Sequence, residues 1–270
     1  MTQTRDARLA AIVDHLVEVG SEAAKQLAAR FDVSVMTVHR DLDELEQRGL
    51  VRKFHGGASV TRTGSYEIAA AIRRRLAVAQ KQTLANAAAE SVRDGQTVMI
   101  DDSSTASAMV DPLIRSAMTI QVITNYLPSL IALSRSTRVV AQAIGGEYDR
   151  SHESYLGVGA VDAVHALRPD TVFVSSTTAD AAGIYHQEER IVTLKQEMLR
   201  SARRRVLLLD ETKIGASSLY RVCGWEMIDE LITTDAAPAE VLAEIDPRVK
   251  VTVVALGAAS SEESPAGAGH

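Results

Sequence analysis

Residues 33–58, VSVMTVHRDLDELEQRGLVRKFHGGA, contain a helical pattern followed by a hairpin pattern. Ser34 suits the N-cap position, because its hydroxyl can accept a hydrogen bond from a backbone N–H of the first turn. Gly49 suits the left-handed position that ends a helix. Two short β-prone runs then flank a Gly-Gly turn. Between Ser34 and Gly49, apolar side chains recur on one stripe at helical spacing, at Val35, Val38, Leu42 and Leu45. The stretch therefore predicts a helix over about residues 35–48 and a small β wing behind it.

The predicted solvent face of this helix is suited to DNA. Its first turns carry Thr37, His39 and Arg40, whereas its later turns are acidic, so only the N-terminal half can approach phosphates without repulsion. Recognition helices enter the major groove in this orientation, and a basic wing can lie along the DNA backbone. The alternative is a winged helix that contacts only proteins. The candidate DNA-binding residues are Ser34, Met36, Thr37, His39 and Arg40 on the helix, and Arg52, Lys53, His55, Gly56 and Gly57 on the wing.

Residues 33–42 and 52–58 resemble the signature of the DeoR family of bacterial transcriptional regulators. That signature is close to VS-x-x-T-[IV]-R-R-D-L, followed by R-x-H-G-G-A. One departure is His39, which stands where the family has the first arginine of a pair. The resemblance implies that the partner is a double-stranded DNA operator.

Charge predicts how such a chain would bind. The net charge is −6, and residues 1–61 hold eight Lys and Arg against nine Asp and Glu. General attraction to DNA is therefore weak, and we expect the use of more than one recognition helix. This predicts a homo-oligomer, a dimer or larger.

Composition limits the other classes of protein. At 270 residues the chain is long enough for two domains. It has no run of about 18 apolar residues and no apolar signal segment at the start, so we expect no membrane span and no export. A single cysteine, Cys223, fits a reducing compartment, which predicts a cytoplasmic protein.

The pattern of elements predicts two domains. Helices over residues 5–19 and 22–31 precede the recognition helix and complete a winged helix-turn-helix domain over residues 1–61. A linker helix is predicted over residues 62–80: residues 62–65 are a short polar connection, and the rest belongs to a helical stretch over residues 66–92. Arg73, Arg74 and Arg75 in it are interpreted as a solvated face or a set of ion pairs rather than as phosphate contacts. Residues 257–270 are expected to be disordered.

From residue 92 onward, short apolar strands alternate with helices, which predicts an α/β domain over residues 81–256 with a mainly parallel sheet. The predicted strands are residues 97–100, 120–124, 139–143, 171–174, 206–209, 231–234 and 251–254.

Polar residues follow successive strands of this predicted sheet, at the carboxyl ends where open α/β sheets bind ligands. Hydroxyls and backbone N–H groups that open a helix can hold an anion. Acidic and amide side chains can take sugar hydroxyls, and a lysine can pair with a phosphate. The set therefore predicts a pocket for a phosphorylated sugar. Its members are Asp101, Asp102, Ser103, Ser104, Thr105, Thr124, Asn125, Gly145, Gly146, Ser175, Ser176, Asp210 and Lys213.

This half also resembles the DeoR-family sensor domain, which is similar to ribose-5-phosphate isomerase. The motifs D-x-G-[ST]-T, T-N, G-G and D-x-[ST]-K correspond to residues 101–105, 124–125, 145–146 and 210–213. Lys195 matches a lysine that the family places on the following helix. Ser103 replaces a glycine of the motif, and Ile191 stands where the family usually has a glutamate.

Each pocket residue also has a structural interpretation. Asp101, Asp102 and Asp210 can cap helices or close turns, Asn125 can hold a loop, and Lys213 can pair with a neighbouring carboxylate. The concentration at one sheet edge favours binding.

The sequence thus predicts a sugar-phosphate-controlled regulator, most simply a repressor of a sugar catabolic operon, and not an enzyme. The alternative is a sugar-phosphate isomerase with a DNA-binding appendage. His152, His165 and His186 lack metal-ligand spacing, and there is no dinucleotide or Walker motif, so no metal or cofactor is predicted.

Overall fold

The computed structural model describes residues 5–60 and 70–256. The predicted disordered tail and residues 62–69 of the predicted linker lie outside the described residues.

Residues 5–60 form three helices and a three-stranded antiparallel sheet of order β1-β3-β2. Ser34 Oγ accepts the backbone N–H of Thr37 at 3.1 Å, and Gly49 is left-handed at φ 68°, so both predicted ends of the recognition helix are present. Leu42 and Val38 are fully buried beneath it. The elements are α1 (Arg5–Val19), β1 (Ser21–Ala23), α2 (Ala24–Arg30), α3 (Val35–Gln47), β2 (Arg52–Phe54) and β3 (Gly57–Ser59).

Two local predictions for this domain are wrong. The helix expected over residues 22–31 begins later, because residues 21–23 pair as a strand with residues 57–59. Val35 was expected in the core but is 37% exposed, since the first turn of α3 extends beyond the packed part of the domain.

The helix expected over residues 66–92 is interrupted. The structure has α4 (Ala70–Arg73) and α5 (Val78–Glu90), joined by a turn in which Ala77 is left-handed at φ 48°. Lys81 reaches back from α5, and its Nζ donates to the carbonyls of Arg73 and Leu76, the latter at 2.6 Å. Carbonyls that a continuous helix would satisfy internally are satisfied here by a side chain.

The rest of the chain forms a seven-stranded sheet, and every strand pair in it is parallel. Its order is β15-β14-β12-β9-β4-β5-β6. This confirms the predicted α/β fold with a mainly parallel sheet. The remaining elements are β4 (Thr97–Ile100), α6 (Val110–Arg115), β5 (Ile120–Thr124), α7 (Leu127–Leu133), β6 (Val139–Ala143), β7 (Glu147–Asp149), β8 (Ser154–Leu156), α8 (Val158–His165), β9 (Thr171–Val174), β10 (Thr178–Asp180), β11 (Gly183–His186), α9 (Glu189–Ser201), β12 (Arg204–Leu209), β13 (Tyr220–Cys223), β14 (Glu230–Thr234), α10 (Ala239–Ala243) and β15 (Lys250–Val254).

The sheet has an apolar core on each face. Because side chains alternate along a strand, Val98 and Ile100 belong to the cluster that contains α5 and α6, whereas Met99 belongs to the cluster that contains α8 and α9. Two small antiparallel sheets, β7-β8 and β10-β11-β13, continue from the carboxyl ends of β6 and β9. Both small sheets lie beside the carboxyl-end edge of the large sheet, where the candidate pocket is found. Over residues 5–60 and 70–256, no helix is long and apolar enough to cross a membrane.

Candidate DNA-binding surface and effector pocket

The N-terminal half of α3 presents a solvent-facing surface. Met36 is 66% exposed, Arg40 is exposed, and Thr37 and His39 are half-buried. Ser34 is exposed, and its hydroxyl also lies 2.9 Å from Thr37 Oγ1, so one group both caps the helix and belongs to its outer surface. Five candidate residues therefore lie at the end of the helix that points out of the domain.

The wing requires its glycines for structural reasons. Gly56 has φ 89°, a conformation that side chains disfavour, and its carbonyl accepts the N–H of Ala24 at 2.7 Å. A Cβ on Gly57 would lie 2.4 Å from the carbonyl oxygen of Glu22 and 2.7 Å from the Phe54 ring. The close pairing of β1 with β3 thus accounts for Gly57 without any DNA contact.

The acidic half of α3 is largely neutralised within the domain. Lys53 on the wing pairs with Asp43, and its N–H donates to Glu46 Oε1 at 2.8 Å. Asp41 is 1% exposed, and its Oδ2 accepts a hydrogen bond from Arg8 Nε at 2.7 Å. The Asp41 hydrogen bond raises the pKa of Arg8. Asp41 therefore ties α3 to α1, a role that the sequence pattern did not indicate.

At the carboxyl ends of the parallel strands lies a small cavity, called here the inner pocket. It encloses about 20 Å³, room for about one water molecule. None of the described residues that line it is acidic. Those residues are Arg73, Ser103, Ser104, Ser175, Ser176, Thr177, His186, Lys195 and Lys213.

Two of the lysines that line this pocket, Lys195 and Lys213, are paired with buried carboxylates outside the lining. Lys195, on α9, pairs with Asp101, and its Nζ lies 3.6 Å from Asp102 Oδ1. Asp101 Oδ2 also accepts the N–H of Ser175 at 3.0 Å. All of these side chains are almost fully buried. Asp101 therefore joins the ends of β4 and β9 to α9.

Lys213 is held in a similar way. Its Nζ donates to Thr105 Oγ1 at 2.9 Å and to Ser175 Oγ at 3.2 Å, and it lies 3.4 Å from Asp210 Oδ2. The pairing of Lys213 with Asp210, which the sequence left open, is present, and it coexists with a place in the pocket lining.

Burial and charge oppose each other in this cluster. Burial favours the neutral acid of Asp102, but the charges of Lys195, Arg73 and His152 outweigh it and lower its pKa to about 2. Burial also disfavours charged Lys195, but Asp101 and Asp102 outweigh it and raise its pKa. Both groups are therefore charged at neutral pH.

Several predicted pocket residues serve the surrounding loops. Thr124 Oγ1 accepts the N–H of Tyr126 at 3.1 Å, and Asn125 Nδ2 donates to the carbonyl of Tyr155 at 3.2 Å. Gly145 and Gly146 are exposed between β6 and β7. These four residues are absent from the described lining of the inner pocket, whereas five other predicted residues line it together with Lys195. The buried Oδ1 of Asn125 has no hydrogen-bond partner among the described residues.

Sequence reasoning missed three lining residues and one partner pair. Thr177 and His186 line the inner pocket from the strands that follow β9. The interpretation of residues 73–75 as a solvated face is wrong for Arg73, which is 7% exposed and lines the same pocket. His152 is buried beside it, its Nδ1 3.5 Å from the Arg73 guanidinium and its Nε2 2.9 Å from Glu188 Oε2.

The His152–Glu188 pair predicts a pH-dependent stability. Burial disfavours the imidazolium, but Glu188 outweighs burial and raises the pKa of His152. The stability that the His152–Glu188 pair contributes is therefore fully present below the unfolded-state histidine pKa of about 6.5. It is lost as pH rises through the higher pKa that His152 has in the folded protein. We expect Glu188→Gln to destabilise the protein at about pH 6 and much less at about pH 9, measured by urea unfolding.

Glu147→Gln is the matched control, because Glu147 is 74% exposed and its partner is an arginine, Arg190, instead of a buried histidine. Equal losses for Glu188→Gln at both pH values would contradict the assignment.

Known protein families match both the N-terminal domain and the α/β domain of this chain. The family model described as the DeoR-like helix-turn-helix domain matches residues 8–63, and the DeoR C terminal sensor domain matches residues 76–235. The lactose phosphotransferase system repressor of Lactococcus lactis is 29% identical over 88% of this chain and 94% of that protein. The transcriptional repressor GlcR of Bacillus subtilis is 25% identical over 89% of this chain and 92% of that protein. Ribose 5-phosphate isomerase A of Methanocaldococcus jannaschii aligns over 50% of this chain and 53% of its own, with 15% identity and a TM-score of 0.37.

A winged helix-turn-helix domain joined to an α/β sensor domain defines a DNA-binding transcriptional regulator. The chain belongs to the DeoR family. The resemblance noted in residues 33–58 and 101–213 is thereby confirmed.

Proposed function

We propose that this protein represses a sugar catabolic operon and that a phosphorylated sugar bound at the inner pocket releases it from DNA. The observation that carries the proposal is the pocket itself. Arg73, Lys195 and Lys213 converge there with serine hydroxyls at the carboxyl ends of parallel strands. Charge-assisted hydrogen bonds from such groups suit a phosphate. The names of the lactose and GlcR repressors are consistent with this role.

The DNA partner in this proposal is a two-fold symmetric operator. Arg40, Thr37 and their neighbours would contact bases, and Arg52 and His55 would contact the backbone. A homodimer or larger assembly would place half-sites about 34 Å apart or at multiples of that distance. Release requires that the effector bind better to a conformation that does not match this spacing.

Catalysis is not part of the proposal. A general base near neutral pH needs a pKa close to that range. The pKa of Asp102 is about 2, and Asp101 is occupied by Lys195 and two backbone N–H groups. We expect no turnover of pentose or hexose phosphates, and a measurable rate that Asp210→Asn abolished would establish the isomerase alternative.

The test is fluorescence anisotropy with labelled DNA from upstream of the gene and its neighbours. Loss of a good bidentate base contact costs about 10- to 100-fold in affinity, so Arg40→Ala should weaken specific binding by at least that much. Lys213→Ala should bind DNA as tightly as wild type but need more sugar phosphate for release.

Arg93→Ala is the charge-matched control, because Arg93 is exposed on the α/β domain, away from both surfaces. The reverse pattern, with Arg40→Ala binding normally and Lys213→Ala losing DNA, would overturn the assignment of the two surfaces.

A further inference from the structure

The strand β6 (Val139–Ala143) forms one edge of the seven-stranded sheet. All of its residues pair with β5 in an unbroken register, and no other strand among residues 5–60 and 70–256 pairs with it. The edge of a sheet presents unpaired N–H and C=O groups that can pair with another chain, so folded proteins usually block it. What blocks or covers the β6 edge is therefore a structural question.

Alternate residues of β6 point their backbone groups out of the sheet. Ile144, directly after the strand, donates its N–H to the carbonyl of Thr124 on β5 at 2.9 Å. Because alternate residues of a parallel strand bond to the same neighbour, Gln142 and Val140 also face β5. The residues between them aim their N–H and C=O groups away from the sheet, and these are Val139, Ala141 and Ala143.

The side chains of β6 leave this edge open. Val140 is 62% exposed, and Ala141 and Ala143 are exposed as well. The strand contains no charged residue and no proline, two of the devices by which sheet edges are usually blocked. The opposite edge strand, β15, differs, because it contains Lys250, whose side chain is 70% exposed. The β6 edge is thus the less protected of the two.

Exposed apolar side chains lie beside the β6 edge on both faces of the sheet. On one face α7 packs against β6, and its Leu133 shares an apolar cluster with Val139. Ile131 on the same helix is 52% exposed. Val140 lies on the other face, since successive strand residues face opposite sides, and Val158 at the start of α8 is 77% exposed. Clustered exposed apolar side chains are typical of a surface that is covered in an assembly.

A second copy of this chain fits the β6 edge by symmetry. In an antiparallel pair centred on Ala141, that residue faces Ala141 of the second copy, and Val139 faces Ala143 of the second copy. Each of these residues has its N–H and C=O groups pointing outward, so each pair can exchange both N–H···O bonds. The exposed Val140 then packs against Gln142 of the second copy. The edge is therefore self-complementary, as an interface across a two-fold axis must be.

Charge favours the antiparallel arrangement. Arg138, which is exposed, directly precedes the strand, and Glu147, which is 74% exposed, follows it at the start of β7. Antiparallel pairing places the arginine end of one copy beside the glutamate end of the other. Parallel pairing would place like charges together, which disfavours association.

We propose that two copies of this protein join their β6 edges in an antiparallel pair, which makes one continuous sheet across a two-fold axis. The proposed function calls for an assembly but does not assign its surface. The inference assigns that surface, and it depends neither on the effector nor on the operator. A two-fold axis between the α/β domains also suits a DNA site made of two half-sites.

The mass of the full chain in solution tests this pairing, measured by sedimentation velocity over a series of protein concentrations without DNA or sugar. We expect wild type to form a dimer or a multiple of it. Ala141→Pro removes an outward N–H from each copy and leaves the bonds to β5 intact, since an edge strand tolerates proline where the N–H faces away from the sheet. Loss of one bond from each copy, at about fivefold each, should raise the dissociation constant about 25-fold or more.

Val253→Pro is the matched control on the opposite edge of the sheet. Val253 is 51% exposed on β15. Its N–H also points outward, because the N–H of Lys250 and the carbonyl of Val254 bond on the β14 side. This variant should associate within about twofold of wild type, a difference below the loss of one hydrogen bond. Unchanged association of Ala141→Pro, or a loss in Val253→Pro instead, would overturn the β6 pairing.

A cysteine variant keeps the test decisive where proline unfolds the sheet. Ala141→Cys places two thiols opposite each other, because Cα atoms in a hydrogen-bonded antiparallel pair are about 5.5 Å apart, a separation that a disulfide can span. The native Cys223 competes little, because burial raises the pKa of its thiol to about 12. Oxidised glutathione should convert Ala141→Cys, but not Val253→Cys, into covalent dimers. Absence of covalent dimer from Ala141→Cys, at concentrations where wild type is associated, would overturn the proposed register.

The outcomes separate this inference from the proposed function. A wild-type chain that stays monomeric throughout the series, yet binds its operator and is released by a sugar phosphate, would overturn the inference alone. A dimer that Ala141→Pro dissociates, but that binds no specific DNA, would support the inference and overturn the proposed function.

Discussion

Replacing Lys195 with methionine is expected to lower the free energy of unfolding of the α/β domain by about 3–5 kcal/mol. Lys195 is 3% exposed and is the cation that faces both Asp101 and Asp102 from α9. Methionine keeps much of the volume but leaves two buried carboxylates without their partner. The cost arises from those charges, because their burial is tolerated only while they are paired. Urea unfolding followed by the fluorescence of Trp225 measures it, since this single tryptophan is buried in the same domain.

Arg203→Met provides the control for Lys195→Met. Arg203 is 78% exposed and lies 3.6 Å from Asp170, so its loss should cost less than about 1 kcal/mol. A loss of that small size in Lys195→Met as well would show that the buried carboxylates take up protons or water at little cost.

Leu42→Ala is expected to destabilise the winged-helix domain by about 2–5 kcal/mol. Leu42 is fully buried at the centre of the cluster that joins α1, α2 and α3. A domain this small has little stability in reserve, so most of it should unfold and operator binding should be lost. Circular dichroism should show an early loss of helix in urea, while the Trp225 transition stays close to that of wild type.

Leu42→Met conserves volume and should cost less than about 1.5 kcal/mol. A shift of both signals together in Leu42→Ala would mean that the two domains unfold as one cooperative unit. Such cooperativity between the two domains would exceed what the single buried side chain of Ile72 can provide.

Helices, strands and caps that are determined by residues close together in the sequence were predicted from sequence patterns. The cap at Ser34, the apolar stripe of α3 apart from Val35, and the seven parallel strands each follow from residue types at short spacing, and the structure contains them. The grouping of pocket residues at the carboxyl ends of strands follows from topology alone.

Features that depend on distant partners were not predictable in this way. Residues 21–23 form a strand only because residues 57–59 lie beside them, and α4 ends where the Lys81 side chain takes over its carbonyls. Arg73 belongs to a charged run that is typical of a solvated surface, and only the packed domains bury it. The pairing of His152 with Glu188 likewise joins residues brought together by the fold.

The short segment of residues 70–76, which contains α4, has a consequence for hybrid regulators, in which one protein's DNA-binding domain is fused to another protein's sensor. Because Ile72 is buried in the DNA-binding domain and Arg73 lines the sensor pocket, a junction placed between them keeps each side chain with the domain that buries it. One inserted residue would rotate everything beyond it by about 100° and turn one of the two side chains into solvent. A functional fusion should therefore join its two parents at the peptide bond between residues 72 and 73, with no residue added or removed, so that Ile72 keeps its contacts with Leu9, Val13 and Leu45.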